Sequence, residues 1–160
     1  MSAGALVWRR GADGIEVLIV HPGGPFFAKK DEGAWSIPKG EIEDGDDPLE
    51  TAARELHEET GLHPETPFES LGAIRQKSGK TVHAFAVDGA GCEVPRGFRP
   101  PQVRIEWPPG SMRELAFDEV DRVEWHPLDV ARKKLNPAQV ELVDRLVAHL
   151  ADATTERQDT

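Results

Sequence analysis

Residues 40–62 read Gly40-Glu-Ile-Glu-Asp-Gly-Asp46-Asp47-Pro48-Leu-Glu-Thr-Ala-Ala-Arg54-Glu55-Leu-His-Glu58-Glu59-Thr-Gly61-Leu62, and this stretch decides the fold. It opens as an acidic loop from Glu41 to Asp47. Pro48 then stands at a natural first helical position, with Asp46 and Asp47 available to cap the free N–H groups of the first turn. Leu49, Ala52, Ala53 and Leu56 recur at helical spacing and form an apolar stripe, which Gly61 stops. Glu55, Glu58 and Glu59 gather along a second side of the same helix, flanking that stripe. Like charges at this spacing destabilise a helix unless something compensates, and a hard divalent cation with oxygen ligands is the natural compensation. A solvated acidic face is the plain alternative, and the helix taken alone does not choose between them.

Outward from this helix, Ala3 to Trp8 and Ile15 to His21 are two apolar segments separated by a turn at Asp13-Gly14, which predicts a hairpin. Pro22-Gly23-Gly24-Pro25 ends the second strand, residues 29–33 read as a surface loop, and 34–37 as a short extended piece before Pro38-Lys39-Gly40. Beyond the helix, Ser70 to Arg75 and Thr81 to Val87 predict a hairpin with Lys77-Ser78-Gly79-Lys80 at its tip. The Gly- and Pro-rich stretch 89–101 reads as a loop, Val103 to Trp107 as a strand, and Val120 to Trp125 as a last short strand. Leu128 to Lys134 predicts a short helix, and Asn136-Pro137 opens a final amphipathic helix to about Leu150. The organisation expected is therefore one domain over residues 1–150 and a polar, disordered tail over 151–160.

Composition narrows the function classes. The chain has 160 residues, 38% hydrophobic and 30% charged, which suits a soluble domain with a real core. No apolar run spans a bilayer, and Met1 to Arg10 lacks the basic-then-apolar order of a secretory signal, so a cytoplasmic location and no membrane partner are expected. The single cysteine, Cys92, excludes an internal disulfide and a multi-cysteine zinc cage, and reads as a packing or loop residue. A formal net charge of −10 argues against a nucleic-acid partner that would need a basic face. It is compatible with a phosphorylated substrate if metal ions stand between protein carboxylates and phosphate oxygens.

Gly40, Arg54, Glu55, Leu56, Glu58, Glu59, Gly61 and Leu62 fall in register with the pattern G-x5-E-x7-R-E-U-x-E-E-x-G-U, where U is aliphatic. In this the chain closely resembles the Nudix hydrolase family. One position departs: Asp46 stands where the pattern has its first glutamate, and it reads either as a shortened version of that carboxylate or simply as the helix N-cap. The resemblance implies an α+β Nudix fold, an α/β/α sandwich around a mixed β-sheet. It also implies hydrolysis of a diphosphate linkage in a nucleoside triphosphate or dinucleoside polyphosphate, with Mg²⁺ or Mn²⁺ as cofactor.

Carried over by position, Glu55, Glu58 and Glu59 match the metal-binding glutamates, with Glu58 and Glu59 the first choices, and the main-chain carbonyl of Lys39 or Gly40 matches a further ligand. Arg54 matches the residue that orients them. The general base is expected either on the box helix, for which Glu58 stands, or on a later loop, where Glu119 in Phe117-Asp118-Glu119-Val120 is the candidate base and ligand; an exposed loop carboxylate is its plain reading. The stretch from Trp35 to Gly40 is similar to that entering the box in diadenosine polyphosphate hydrolases, which makes Lys39 a candidate to meet phosphate; the hairpin-tip residue Lys77, with Arg75 and Lys80, is another, for which a solvated turn is the plain reading. Trp35 and Trp107 are candidates for base stacking, although large aromatics more often belong to a core. His21, His57 and His83 carry no evident partner.

The chain contains no tyrosine, so the tyrosine usual beyond the box in diadenosine polyphosphate hydrolases is missing, and the proline that marks many ADP-ribose pyrophosphatases is absent from Gln76 to Lys80. The alternatives are an ADP-ribose or sugar-nucleotide pyrophosphatase and a non-catalytic nucleotide-sensing module of the same fold; the intact box glutamates argue against the latter. An isoprenoid diphosphate isomerase would call for a catalytic cysteine, for which Cys92 in its Gly-rich loop is poorly placed. The oligomeric state is open.

Overall fold

The computed structural model describes residues 1–158. The elements run β1 (Ser2–Gly11), β2 (Gly14–Pro22), β3 (Lys39–Glu41), α1 (Pro48–Thr60), β4 (Phe68–Arg75), β5 (Thr81–Asp88), β6 (Gln102–Glu106), β7 (Glu114–Asp118), β8 (Val120–Pro127), α2 (Leu128–Lys134), a 3₁₀ turn (Pro137–Gln139) and α3 (Val140–Gln158). The main sheet has the order β4-β5-β1-β2-β8, with β3 paired to the start of β1. β1 and β5 are parallel and the other pairs antiparallel, so the sheet is mixed.

Alternation along β1 explains the layering. Ala3, Ala5 and Val7 belong to the clusters that hold Ala52 and Leu56 of α1, whereas Leu6 belongs to the cluster that holds Leu142, Val143 and Leu146 of α3. A sheet buried on both faces between helices is the expected α/β/α sandwich. The β1–β2 hairpin closes at Gly11 and Gly14 as its Asp13-Gly14 signal predicts. Among the described residues, no helix is long and apolar enough to cross a membrane.

Three elements differ from the sequence expectation. Residues 34–37 form only isolated bridges, Val20 to Ser36 and Trp35 to Leu135, and the strand proper is β3 at Lys39–Glu41. β7 has no counterpart in the reading above; it pairs with β6 as a separate two-stranded arm, stabilised by cross-strand partners rather than by a local pattern. α3 continues to Gln158, past the end expected near Leu150, while 159–160 at the end of the expected tail lie outside the described residues.

Candidate active site

The site begins where β3 meets α1. β3 pairs with the first residues of β1 (Ala3 with Gly40, Gly4 with Lys39), and the Ala5 N–H donates to the Pro38 carbonyl at 3.0 Å, so the Pro38-Lys39-Gly40 backbone is fixed against the sheet. α1 lies across the same strand, with Leu56 buried beneath it. The helix is capped by Asp47, whose carboxylate accepts from the Leu49 N–H, and closed by Gly61 in the left-handed conformation. Asp46 is therefore not the cap; it bonds Arg54 at 3.2 Å. The expectation that Asp46 caps the helix is corrected by one residue.

Anchoring the helix in this way turns its glutamates towards β3. Glu55 places its carboxyl against Gly40, where any side chain would collide with it. Glu59 is buried and its Oε2 accepts from the Lys39 backbone N–H at 3.0 Å. Glu119 reaches the same place from the link between β7 and β8. Its N–H donates to the Pro101 carbonyl and its carbonyl accepts from the Gly23 N–H at 3.0 Å, which pins the short link between β7 and β8 to the end of β2. One carboxylate oxygen from each of Glu55, Glu59 and Glu119 lies within 4.8 Å of the others.

Three acids this close are electrostatically expensive. Burial, then the neighbouring Glu119 and Glu55, push the Glu59 carboxyl up to about 9, against partial relief from Lys39. Burial also raises Glu55, followed by Glu58 and Glu119, while Arg54 and Lys39 oppose the rise. Glu119 is raised by burial and by Glu58, again with Lys39 opposing. Lys39 thus lies near enough for its charge to act on all three acids, and Arg54 adds a 3.9 Å contact to Glu55.

The other candidates scatter. Glu58 is exposed and stands outside the close triplet, at its rim, near enough to act on Glu55 and Glu119. Trp35 is fully buried, with Nε1 donating to Asp31 at 2.7 Å and Lys134 and Arg122 over its ring. It offers no face to a ligand, and the stacking role expected for it is corrected to a core role. Trp107 is exposed on the β6–β7 arm. Lys77 lies exposed at the tip of the β4–β5 hairpin, whose Lys80 bonds Glu41 of β3 at 3.2 Å, so the tip bends towards the site.

Two supports escaped the sequence reading. Gln139 is fully buried: its Oε1 accepts from the Ile37 N–H at 2.9 Å, and its Nε2 donates to Ser36 Oγ and Gln76 Oε1 at 3.0 Å each. His21, also fully buried, bonds Asp121 through Nδ1 at 2.7 Å and the Lys30 carbonyl through Nε2 at 2.6 Å. The only sequence signal for either was a polar residue inside an apolar run, which names no partner.

A mixed sheet between helical layers, with the acidic face of a glycine-ended helix turned to a glycine-backed strand, defines an α/β/α protein of the box-helix class. The sequence profile of the NUDIX domain matches residues 1–146, and the chain belongs to that family. It is 28% identical over 167 aligned positions to an 8-oxo-(d)GTP phosphatase of Mycolicibacterium smegmatis, covering 96% of this chain but only 43% of that protein. It is 30% identical to an RNA pyrophosphohydrolase of Brucella anthropi, covering 71% of this chain and 68% of the relative. Among solved structures, an Ap4A hydrolase of C. elegans superposes with a TM-score of 0.65 at 20% identity, covering 95% of this chain and 99% of that one, a likeness of fold.

Proposed function

We propose that this chain is a metal-dependent pyrophosphohydrolase that cleaves a diphosphate linkage in a nucleoside triphosphate or dinucleoside polyphosphate. The observation that carries the reading is the convergence of Glu55, Glu59 and Glu119, from two separate parts of the chain, on one point within 4.8 Å. A helix face acidic merely for solubility would not bury Glu59 or recruit Glu119. The donor set is all carboxylate oxygen, which fits Mg²⁺ or Mn²⁺ and does not suit a soft metal.

Glu55, Glu59 and Glu119 would hold the metal, with Glu58 joining from the rim and a main-chain carbonyl of Lys39 or Gly40 as a further ligand. When bound, it supplies charge neutralisation on the phosphates and a more acidic water. Lys39 binds a phosphate oxygen, since its charge acts on the triplet. Arg54 restrains Glu55 from outside, and Gly40 leaves room for the carboxylate. Glu119 accepts the proton of the attacking water at its carboxylate. The water oxygen bonds to phosphorus and the bridging P–O bond of the anhydride breaks. Lys77 at the hairpin tip meets the remainder of the phosphate chain.

The test is a panel of nucleoside triphosphates, oxidised nucleotides, diadenosine polyphosphates, 5′-triphosphorylated RNA, ADP-ribose and sugar nucleotides, with Mg²⁺ and then Mn²⁺. The names of the two curated relatives support including oxidised nucleotides and RNA. Metal-dependent release of phosphate or pyrophosphate from a polyphosphate nucleotide is expected; cleavage of none of the compounds sinks the reading.

A further inference from the structure

The loop between β2 and β3 and the β6–β7 arm together expose four large apolar side chains, Phe26, Phe27, Trp107 and Met112. Phe26 and Trp107 meet edge to face with ring centroids 4.8 Å apart, although they come from segments distant in sequence. Contiguous exposed apolar side chains mark interaction surfaces more often than scattered single ones do. The pair is also held in place. The loop is tied at one end by the Gly23 N–H to Glu119 and at the other by the Lys30 carbonyl to buried His21, whose ring also bonds Asp121. Gly24 packs directly on the Phe117 ring of the arm. Frame and acid are thus one unit, since Glu119 follows the arm and Asp121 is the second residue of β8.

Both signs of charge surround the pair. Lys29, Lys30, Arg104 and Arg113 are exposed on the same loop and arm, as are Asp31, Glu32, Glu106, Glu114 and Asp118. Lys30 lies over the Phe27 ring at 5.4 Å, and Arg104 pairs with Glu114 at 2.8 Å. The Trp107 N–H donates to the Arg113 carbonyl, and Arg113 is five residues before Asp118. At about 3.4 Å per residue, the Trp107 end of the arm stands about 20 Å along the chain from Glu119, which is six residues beyond Arg113. That is the length scale of a polyphosphate chain with its sugar.

We propose that Phe26 and Trp107 form a stacking platform for the second nucleobase of a dinucleoside polyphosphate whose phosphates lie at the carboxylate centre. This deepens the pyrophosphohydrolase reading and rests on it for the position of the phosphates. Aromatic stacking tolerates any base, so the platform selects for the presence of a second nucleoside rather than for its identity.

The test compares diadenosine tetraphosphate with adenosine 5′-tetraphosphate, which lacks the second nucleoside, on the wild type, Phe26→Ala, Trp107→Ala and Trp107→Phe. The wild-type preference in kcat/KM for the dinucleotide is expected to fall about five- to a hundredfold in each alanine variant, through KM. Trp107→Phe should restore most of it. Equal losses on both substrates, or no loss, overturn the platform. Calorimetry with a methylene-bridged diadenosine tetraphosphate and Mg²⁺ separates the two readings. If the wild type binds this analogue through Phe26 and Trp107 yet cleaves nothing, the hydrolase reading fails and the platform stands. If the alanine variants bind it as well as the wild type, or the wild type does not bind it, the platform fails. A change of oligomeric state in the alanine variants without a change in selectivity makes the patch a contact between copies and also overturns it.

Discussion

The carboxyl of Glu55 occupies the space that a side chain on Gly40 would need. The two residues come from different elements, β3 and α1, and their fit sets how closely the box helix approaches the strand. Gly40 is therefore a requirement of packing at the site.

Gly40→Ala should push Glu55 out of the triplet. Displacing a group by about an ångström at a reacting centre costs on the order of a hundredfold. We expect kcat/KM to fall by about that factor with far-UV circular dichroism preserved. A variant of normal activity would show that Glu55 has no role in turnover.

Glu59→Gln, which removes the most buried acid of the triplet, should lower kcat by more than about a hundredfold, as loss of a metal ligand exceeds the effect of its supporting shell. Glu58→Gln tests the rim position. A loss of similar size with the fold intact is expected if Glu58 joins the metal on binding; near-normal rates would restrict the ligands to Glu55, Glu59 and Glu119. Metal titration of both variants reads the same distinction without turnover.

Metal-free protein should become less stable as pH rises. The Glu59 carboxyl goes from 4.5 unfolded to about 9 folded, so the folded state binds more protons between those values. Its contribution is fully present below about pH 4.5 and is lost as pH climbs towards 9, at up to about 1.4 kcal/mol per pH unit. Glu55 and Glu119 are raised too and act in the same direction. Thermal melts in chelator from pH 5.5 to 8.5 should show Tm falling, Mg²⁺ should flatten the trend, and Glu59→Gln should weaken it. A flat profile without metal would contradict the burial of Glu59 as a charged site.

Trp35→Phe should lower stability by about 1–2 kcal/mol, from loss of the hydrogen bond to Asp31 and poorer filling of the core. For a chain of this size that is a few degrees in Tm. KM should stay at its wild-type value because the ring is wholly enclosed; a raised KM would mean that the core opens to substrate.

The box helix was legible because its information is local. Pro48, Asp47 and Gly61 mark its ends, the three-and-four spacing of Leu49, Ala52, Ala53 and Leu56 marks its buried side, and the offsets from Gly40 to Leu62 carry the family. β7 was not legible, because an alternating five-residue segment gains its order only from β6 across the arm. Trp35 and Trp107 look alike in sequence, yet one is enclosed by Lys134, Arg122, His21 and His126 and the other faces water.

Sequence by itself determined the helix and its glutamates, since helical periodicity and turn chemistry act over a few residues, and the resemblance carried by the box implied the sandwich they belong to. Tertiary structure decided which acids meet. Pairing of β8 with β2 delivers Glu119 to Glu55 and Glu59, the packing of α1 on β3 buries Glu59 and half-buries Glu55, and Glu58, one residue from Glu59, is left at the rim. Burial and long-range approach are properties of the packed chain, and charge repulsion among the acids it brings together is what makes the centre a place for a cation.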